Sequence, residues 1–120
     1  MGYMRLGKVW VLAWVLGGVF LGGSAWAHPP KSVTLSLDAP SGRLTVQVAH
    51  GVNDPAKHHV QRISVFVGGK LAAQMEYPSQ TDVNGMTDTF SVGSVPKGTK
   101  IRVEATCNIM GSATGELIAP

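Results

Sequence analysis

The feature that most constrains the fold is a series of short segments in which apolar and polar residues alternate. Leu44, Val46 and Val48, for example, are separated by Thr45 and Gln47. The other candidate strands lie at about 33–37, 59–67, 70–77, 86–92, 101–107 and 116–118, with turn residues between them. A period of two is typical of a strand with one buried face, and no segment shows a helical period. The pattern predicts an all-β, immunoglobulin-like β-sandwich of about seven strands.

The first quarter of the chain has a different character. Two basic residues precede an apolar run from Val9 to Leu21, and Ala25-Trp26-Ala27 then supplies a small-x-small pattern. This order is typical of a secretory signal peptide. We therefore expect residues 1–27 to be a signal peptide cleaved after Ala27, and residues 28–120 to be the mature domain. The alternative is an uncleaved membrane anchor, for which the apolar run is short, since a membrane span needs about 20 residues.

Export would place the domain in the periplasm or outside the cell. Without Arg5 and Lys8, eight basic residues remain against seven acidic ones. The charges form no cluster, which argues against a nucleic-acid surface, and after cleavage nothing predicts a membrane partner. The single cysteine, Cys107, cannot form an internal disulfide. In an oxidising compartment, an unpaired thiol is expected to be buried or bound to a ligand.

Five side chains that bind metals lie at or next to the ends of predicted strands: His28, His50, His58, His59 and Cys107. Imidazole and thiolate ligands gathered in this way suit a mononuclear transition-metal site. His50 and Cys107 continue the apolar parity of their strands, so alternation predicts that both point inward. The competing interpretations are a core-edge histidine bonded to a backbone carbonyl, and a cysteine buried as a small hydrophobe.

The adjacent His58 and His59 cannot both point inward. Alternation favours His59, which shares its parity with Ile63 and Val65. A loop residue just before a strand need not follow the parity of that strand, so the sequence pattern leaves the choice open.

Two further groups could bind a metal: the N-terminus that cleavage would create at His28, and the thioether of Met110. If cleavage follows Ala27, His28 combines a free α-amino group with an imidazole, a pair that chelates copper; the alternative is a solvated terminus. Met110 offers a thioether, which suits copper(I) better than ferrous iron. Its alternative role is ordinary packing.

The segment His50…His58-His59-Val60-Gln61-Arg62, followed by Thr106-Cys107-Asn108-Ile109-Met110-Gly111, resembles the iron-binding domain of the desulfoferrodoxin and superoxide reductase family. That family has a histidine, a proline-containing loop and a second histidine that opens a strand, and it closes with Cys-Asn-x-His-Gly. The resemblance implies an immunoglobulin-like sandwich whose iron is held by four histidines and an axial cysteine thiolate. By position, it implies that Cys107 is the axial ligand, that His50 and His58 are planar ligands, and that His28 is a further ligand.

The chain departs from the family pattern at two positions. Met110 stands where the family has its last histidine, and His59 stands where it has an aromatic residue. The acidic-basic pair that supports catalysis in the family is not visible near His28. The substituted donor set adds copper as an alternative to iron. The residues therefore support metal binding more directly than they support superoxide reductase activity.

The predicted function is that of an exported mononuclear iron or copper redox protein, which reduces superoxide by one electron if it is active. Its partner would be an electron-donor protein or a small redox substrate. One alternative is a copper carrier without turnover. Another follows from a second resemblance, through the histidine loop and the Gly69-Lys70 hairpin, to the small sandwich subunit of the thiosulfate-oxidation complex, a partner-binding protein that needs no metal.

Overall fold

A computed structural model describes residues 28–120, so the predicted signal peptide lies outside the described part of the chain. Seven strands follow one another in sequence. They are β1 (Ser32–Asp38), β2 (Arg43–Ala49), β3 (Val60–Val67), β4 (Lys70–Glu76), β5 (Gly85–Ser91), β6 (Lys100–Cys107) and β7 (Ser112–Ile118). No helix that could cross a membrane occurs among residues 28–120.

The strands form two antiparallel sheets. One has the order β1-β2-β5 and the other has the order β4-β3-β6-β7. The predicted all-β sandwich of seven strands is therefore confirmed.

The core lies between the two sheets, where alternation places it. In β2, Leu44 and Val46 are fully buried while Gln47, the next residue along, is exposed. In β6, Ile101 and Val103 are fully buried in the same way. Each such side chain contributes about 1.5–3 kcal/mol of transfer free energy, so the two strands fix which face of each sheet points inward.

Turn chemistry and pairing set the ends of the strands. Gly68 and Gly69 have φ values of 60° and 85° and join β3 to β4 in a two-residue hairpin, as their sequence predicts. The last strand is longer than expected, because β7 begins at Ser112 rather than near Glu116. Its first residues carry little apolar character, but each pairs with β6 from Ser112 onward.

The pairing also gathers one set of chain segments at one end of the sandwich. Strand β2 ends at Ala49, β3 begins at Val60, and β6 ends at Cys107, with Val60 and Cys107 directly paired. The N-terminal segment reaches the same end, since Ser32 pairs with Ala49. The loop from residue 50 to residue 59 crosses between the two sheets there.

Candidate metal centre

Three histidines converge at this end of the sandwich. His28, His50 and His58 each offer a ring nitrogen, and these atoms all lie within 4.8 Å of one another. The ring centroids are 5.0 Å apart for His28 and His50, 5.0 Å for His28 and His58, and 4.7 Å for His50 and His58. We call this set the three-histidine group. The ring planes are inclined to one another by 68°, 62° and 87°, respectively.

His50 forms the floor of the group. It is fully buried, as its parity with Val46 and Val48 predicts. Its backbone N–H donates to the carbonyl of Asn84 at 2.9 Å, which continues the β2–β5 pairing past the end of β2. Its Nδ1 lies 2.9 Å from Oε1 of Gln80, and its Nε2 lies 3.3 Å from the carbonyl oxygen of His28.

His28 reaches the group because the chain before β1 is held in place. The Lys31 N–H donates to the Ala49 carbonyl at 2.7 Å, which extends the β1–β2 ladder by one residue. Pro29 and Pro30 then restrict the backbone that leads back to His28. The Nδ1 of His28 lies 3.0 Å from the Pro29 carbonyl, so as a donor there it leaves Nε2 available to the group.

His58, and not His59, is the member supplied by the histidine pair. His59 is buried, as alternation predicts, but its Nε2 donates to the carbonyl of Tyr77, the residue after β4, at 3.0 Å. Strand β3 begins only at Val60, and its pairing with β6 shifts register between Val60 and Arg62. The two histidines therefore precede the regular strand, and parity does not decide which of them joins the group.

Asn108 holds the segment that carries His58. Its side-chain oxygen accepts from the His59 N–H at 2.9 Å, and its side-chain NH₂ donates to the Lys57 carbonyl at 3.0 Å. Its own backbone N–H donates to the His59 carbonyl at 3.0 Å. The asparagine after Cys107 thus ties the end of β6 to the residues on both sides of His58. In the sequence, the only indication of this role of Asn108 was its position directly after Cys107.

Cys107 is buried, as its parity predicts, but the three-histidine group does not include it. Its Sγ accepts from the Ile109 N–H at 3.3 Å and makes a longer contact of 3.9 Å with Oδ1 of Asn108. The role of Cys107 as a ligand stays a prediction. Met110 is 47% exposed, and its role as a ligand is likewise untested.

The surroundings of His58 favour its uncharged form. Burial lowers the pKa of His58 below its ordinary value of 6.5, and the nearby His50 and His28 lower it further. The His28 backbone opposes this shift in part, but among the described residues Nε2 of His58 has no hydrogen-bond partner. A neutral imidazole with a free lone pair is the form that binds a metal.

These observations fit a bound cation. The Nε2 of His58 is one of three buried side-chain polar atoms without a hydrogen-bond partner among residues 28–120; the others are Nδ1 of His59 and Nε of Arg62. Such atoms normally require an explanation, and of the three only Nε2 of His58 belongs to the three-histidine group. A divalent ion among the three rings would satisfy it. Three imidazole nitrogens, with further positions open, form a donor set found in metal centres of several kinds.

No protein-family profile matches the sequence, and no curated protein matches it. Solved structures do match the fold. A hypothetical protein from Pyrococcus horikoshii has a TM-score of 0.57 at 19% identity, over 76% of this chain and 89% of its own. The 1Fe superoxide reductase of Giardia intestinalis has a TM-score of 0.59 at 13% identity, over 76% and 99%. A single-substitution variant of the superoxide reductase (neelaredoxin) of Ignicoccus hospitalis has a TM-score of 0.55 at 12% identity, over 76% and 80%.

The described domain is therefore a β-sandwich with the fold of the superoxide reductases, and its three-histidine group is compatible with that fold. The resemblance inferred from the two sequence motifs is confirmed at the level of fold. At these identities, the likeness concerns the fold alone.

Proposed function

We propose that the protein is an exported mononuclear iron protein that reduces superoxide by one electron. The observation that carries the proposal is the three-histidine group, with its partnerless Nε2 on His58, inside a sandwich of this fold. The export of the protein is supported only by the signal-peptide pattern of residues 1–27.

His28, His50 and His58 would hold the iron through their Nε2 atoms, with Cys107 as the proposed thiolate ligand. A bound ferrous ion would supply one electron and an open coordination position. The overall reaction joins one superoxide anion, that electron and two protons into hydrogen peroxide. A reduced one-electron donor protein would restore the ferrous state.

The chain's own residues determine access to the site. His50 is fully buried, whereas His28 and His58 are only half-buried. An ion held by all three would therefore lie at the rim of the sandwich, within reach of a small anion from solvent. Neutral imidazoles leave the charge of the ion uncompensated, and a Cys107 thiolate would cancel only one of the two positive charges of a ferrous ion, so the site would attract superoxide electrostatically.

The test compares two neighbouring histidines. We expect His58→Gln to weaken ferrous binding by more than about 10-fold and to abolish superoxide consumption, because a direct ligand should cost at least as much as an outer partner. His59→Gln is the matched control: it changes an adjacent buried histidine that lies outside the group, and glutamine can still donate to the Tyr77 carbonyl. Stopped-flow decay of superoxide and iron content are measured on the same preparations. Equal loss in both variants, or in neither, would refute the proposal.

A second candidate is a copper carrier without turnover. It is favoured by the composition of the three-histidine group, which contains imidazoles and not the Cys107 thiol. Nitrogen sites bind copper(II) more tightly than ferrous iron. Tight copper binding by a protein that leaves superoxide decay unchanged, in both its iron and copper forms, would favour this candidate. The partner-binding alternative of the thiosulfate-oxidation type stays a prediction.

A further inference from the structure

We propose that Gln80 is a positioning residue that sets the proton of His50 on Nδ1 and so directs its Nε2 lone pair into the three-histidine group. This inference rests on the proposed function, since it assigns a purpose to that lone pair. Gln80 lies in the polar loop between β4 and β5, where nothing in the sequence distinguishes it. It is nevertheless 4% exposed, and its amide is fully hydrogen-bonded.

Four contacts satisfy the Gln80 amide. Its Nε2 donates to the carbonyl of His50 at 2.7 Å and to the carbonyl of Asp82 at 2.9 Å. Its Oε1 accepts from the backbone N–H of Val60 at 3.0 Å and lies 2.9 Å from Nδ1 of His50. Two donors and two acceptor positions are the whole capacity of an amide side chain.

Three of these contacts are made to backbone groups whose roles are fixed. The carbonyls of His50 and Asp82 only accept, and the N–H of Val60 only donates. A flipped amide would place its oxygen against two carbonyls and its NH₂ against another N–H. The hydrogen-bond network therefore assigns the orientation of the amide, and the atom that faces the His50 ring is an acceptor.

Both nitrogens of the His50 ring face an acceptor, but Nδ1 lies closer to Oε1 of Gln80, at 2.9 Å, than Nε2 lies to the His28 carbonyl, at 3.3 Å. The shorter contact assigns the proton to Nδ1. A neutral imidazole carries one proton, and a proton on Nδ1 leaves Nε2 as a lone pair. This lone pair lies 3.3 Å from the His28 carbonyl oxygen, which is also an acceptor. A cation bound beside them would relieve the contact between the two acceptors. A donor bond from the second ring nitrogen is the usual means by which a protein orients a histidine ligand.

Gln80 also joins the two segments that carry the group. It contacts the carbonyl of His50, at the end of β2, and the N–H of Val60, at the start of β3 and two residues after His58. The same side chain that sets the tautomer of one ligand thus bridges to the chain that positions another. An outer partner of this kind typically changes metal affinity by about 10- to 100-fold.

The first test uses the metal-free wild-type protein, purified as the cell processes it. Long-range ¹⁵N–¹H NMR of the histidine rings is expected to show His50 protonated at Nδ1 and unprotonated at Nε2. The opposite tautomer would overturn the inference without any variant being made.

Two variants distinguish an effect of Gln80 on the His50 tautomer from structural support of the loop alone. Gln80→Met removes all four contacts. Gln80→Glu loses the donor contacts to the His50 and Asp82 carbonyls but keeps an acceptor for Nδ1. Both are checked for folding by thermal unfolding. We expect Gln80→Met to lose the tautomer preference and to bind ferrous ion about 10- to 100-fold more weakly, and Gln80→Glu to keep the tautomer and most of the affinity.

A purely structural role would weaken ferrous binding to the same degree in both variants, and that result would overturn the inference. So would an unchanged tautomer in Gln80→Met. The proposed function fails separately: a wild-type protein that shows the expected tautomer, loses it in Gln80→Met and yet binds no metal would refute the iron site, while it upholds the action of Gln80 on the ring.

Discussion

Gly111, in the turn that follows Cys107, lies close to Pro29, the residue that follows His28. Gly111 has a φ of 73°, and a Cβ built on it would lie 2.8 Å from Cβ and 3.4 Å from Cγ of Pro29. Real Cβ atoms do not approach that closely, so either Pro29 or the turn must move in the variant Gly111→Ala. Because Pro29 directly follows His28, we expect a movement of Pro29 to displace a member of the three-histidine group.

Gly93 provides the matched control. An alanine there would adopt the same unfavourable positive φ, but its Cβ would not clash with a neighbouring residue. Its φ is also 73°, and a Cβ added there would meet no atom within 4 Å. A left-handed conformation costs an alanine roughly 1–2 kcal/mol. We therefore expect Gly93→Ala to lose about that much stability and to bind metal normally, whereas Gly111→Ala should lose more stability and weaken ferrous binding by about 10-fold or more.

Urea denaturation measures the stability of each variant, and anaerobic titration against a coloured ferrous chelator measures its metal affinity. If Gly111→Ala and Gly93→Ala bind ferrous ion equally well, then either the contact with Pro29 does not position His28, or His28 is not a ligand. Either conclusion would refute the reasoning.

Two further predictions concern His58 and Cys107. The pKa of His58 is lowered in the folded chain from its ordinary 6.5, so the unfolded chain binds more protons between the two values. The metal-free protein should therefore lose stability as the pH falls below about 6.5, and urea denaturation of His58→Gln should show a flatter acid slope; an unchanged slope would contradict this. If Cys107 is a ligand, the oxidised iron-loaded protein should show a thiolate charge-transfer band that Cys107→Ser abolishes, and equal spectra and metal contents in both proteins would remove Cys107 from the site.

Much of the fold could be predicted from the sequence because alternation is a local property. The alternation in β2 predicts the buried face formed by Leu44, Val46 and Val48. The same alternation correctly predicts that His50 is buried. Strand β7 was predicted too short, because its first residues are paired by β6 and have little apolar pattern of their own. The predicted signal peptide lies outside the described residues and stays a prediction.

The site could be predicted only in part, because its details depend on tertiary contacts. Alternation correctly predicts that His59 is buried. It does not predict that the His59 ring is hydrogen-bonded to the Tyr77 carbonyl and lies outside the three-histidine group. The motif position identified His58, which the structure places in the group. The sequence did not indicate the role of Gln80, since three of its hydrogen-bond partners are backbone groups that come together only in the folded chain.

The most direct test of the central claim is X-ray absorption spectroscopy of the protein loaded with one equivalent of ferrous ion. The account predicts one ion per chain with the multiple scattering of several imidazole rings, which His58→Gln reduces and His59→Gln leaves unchanged. A first shell of oxygen atoms without imidazole scattering, or a signal that both variants leave intact, would contradict it.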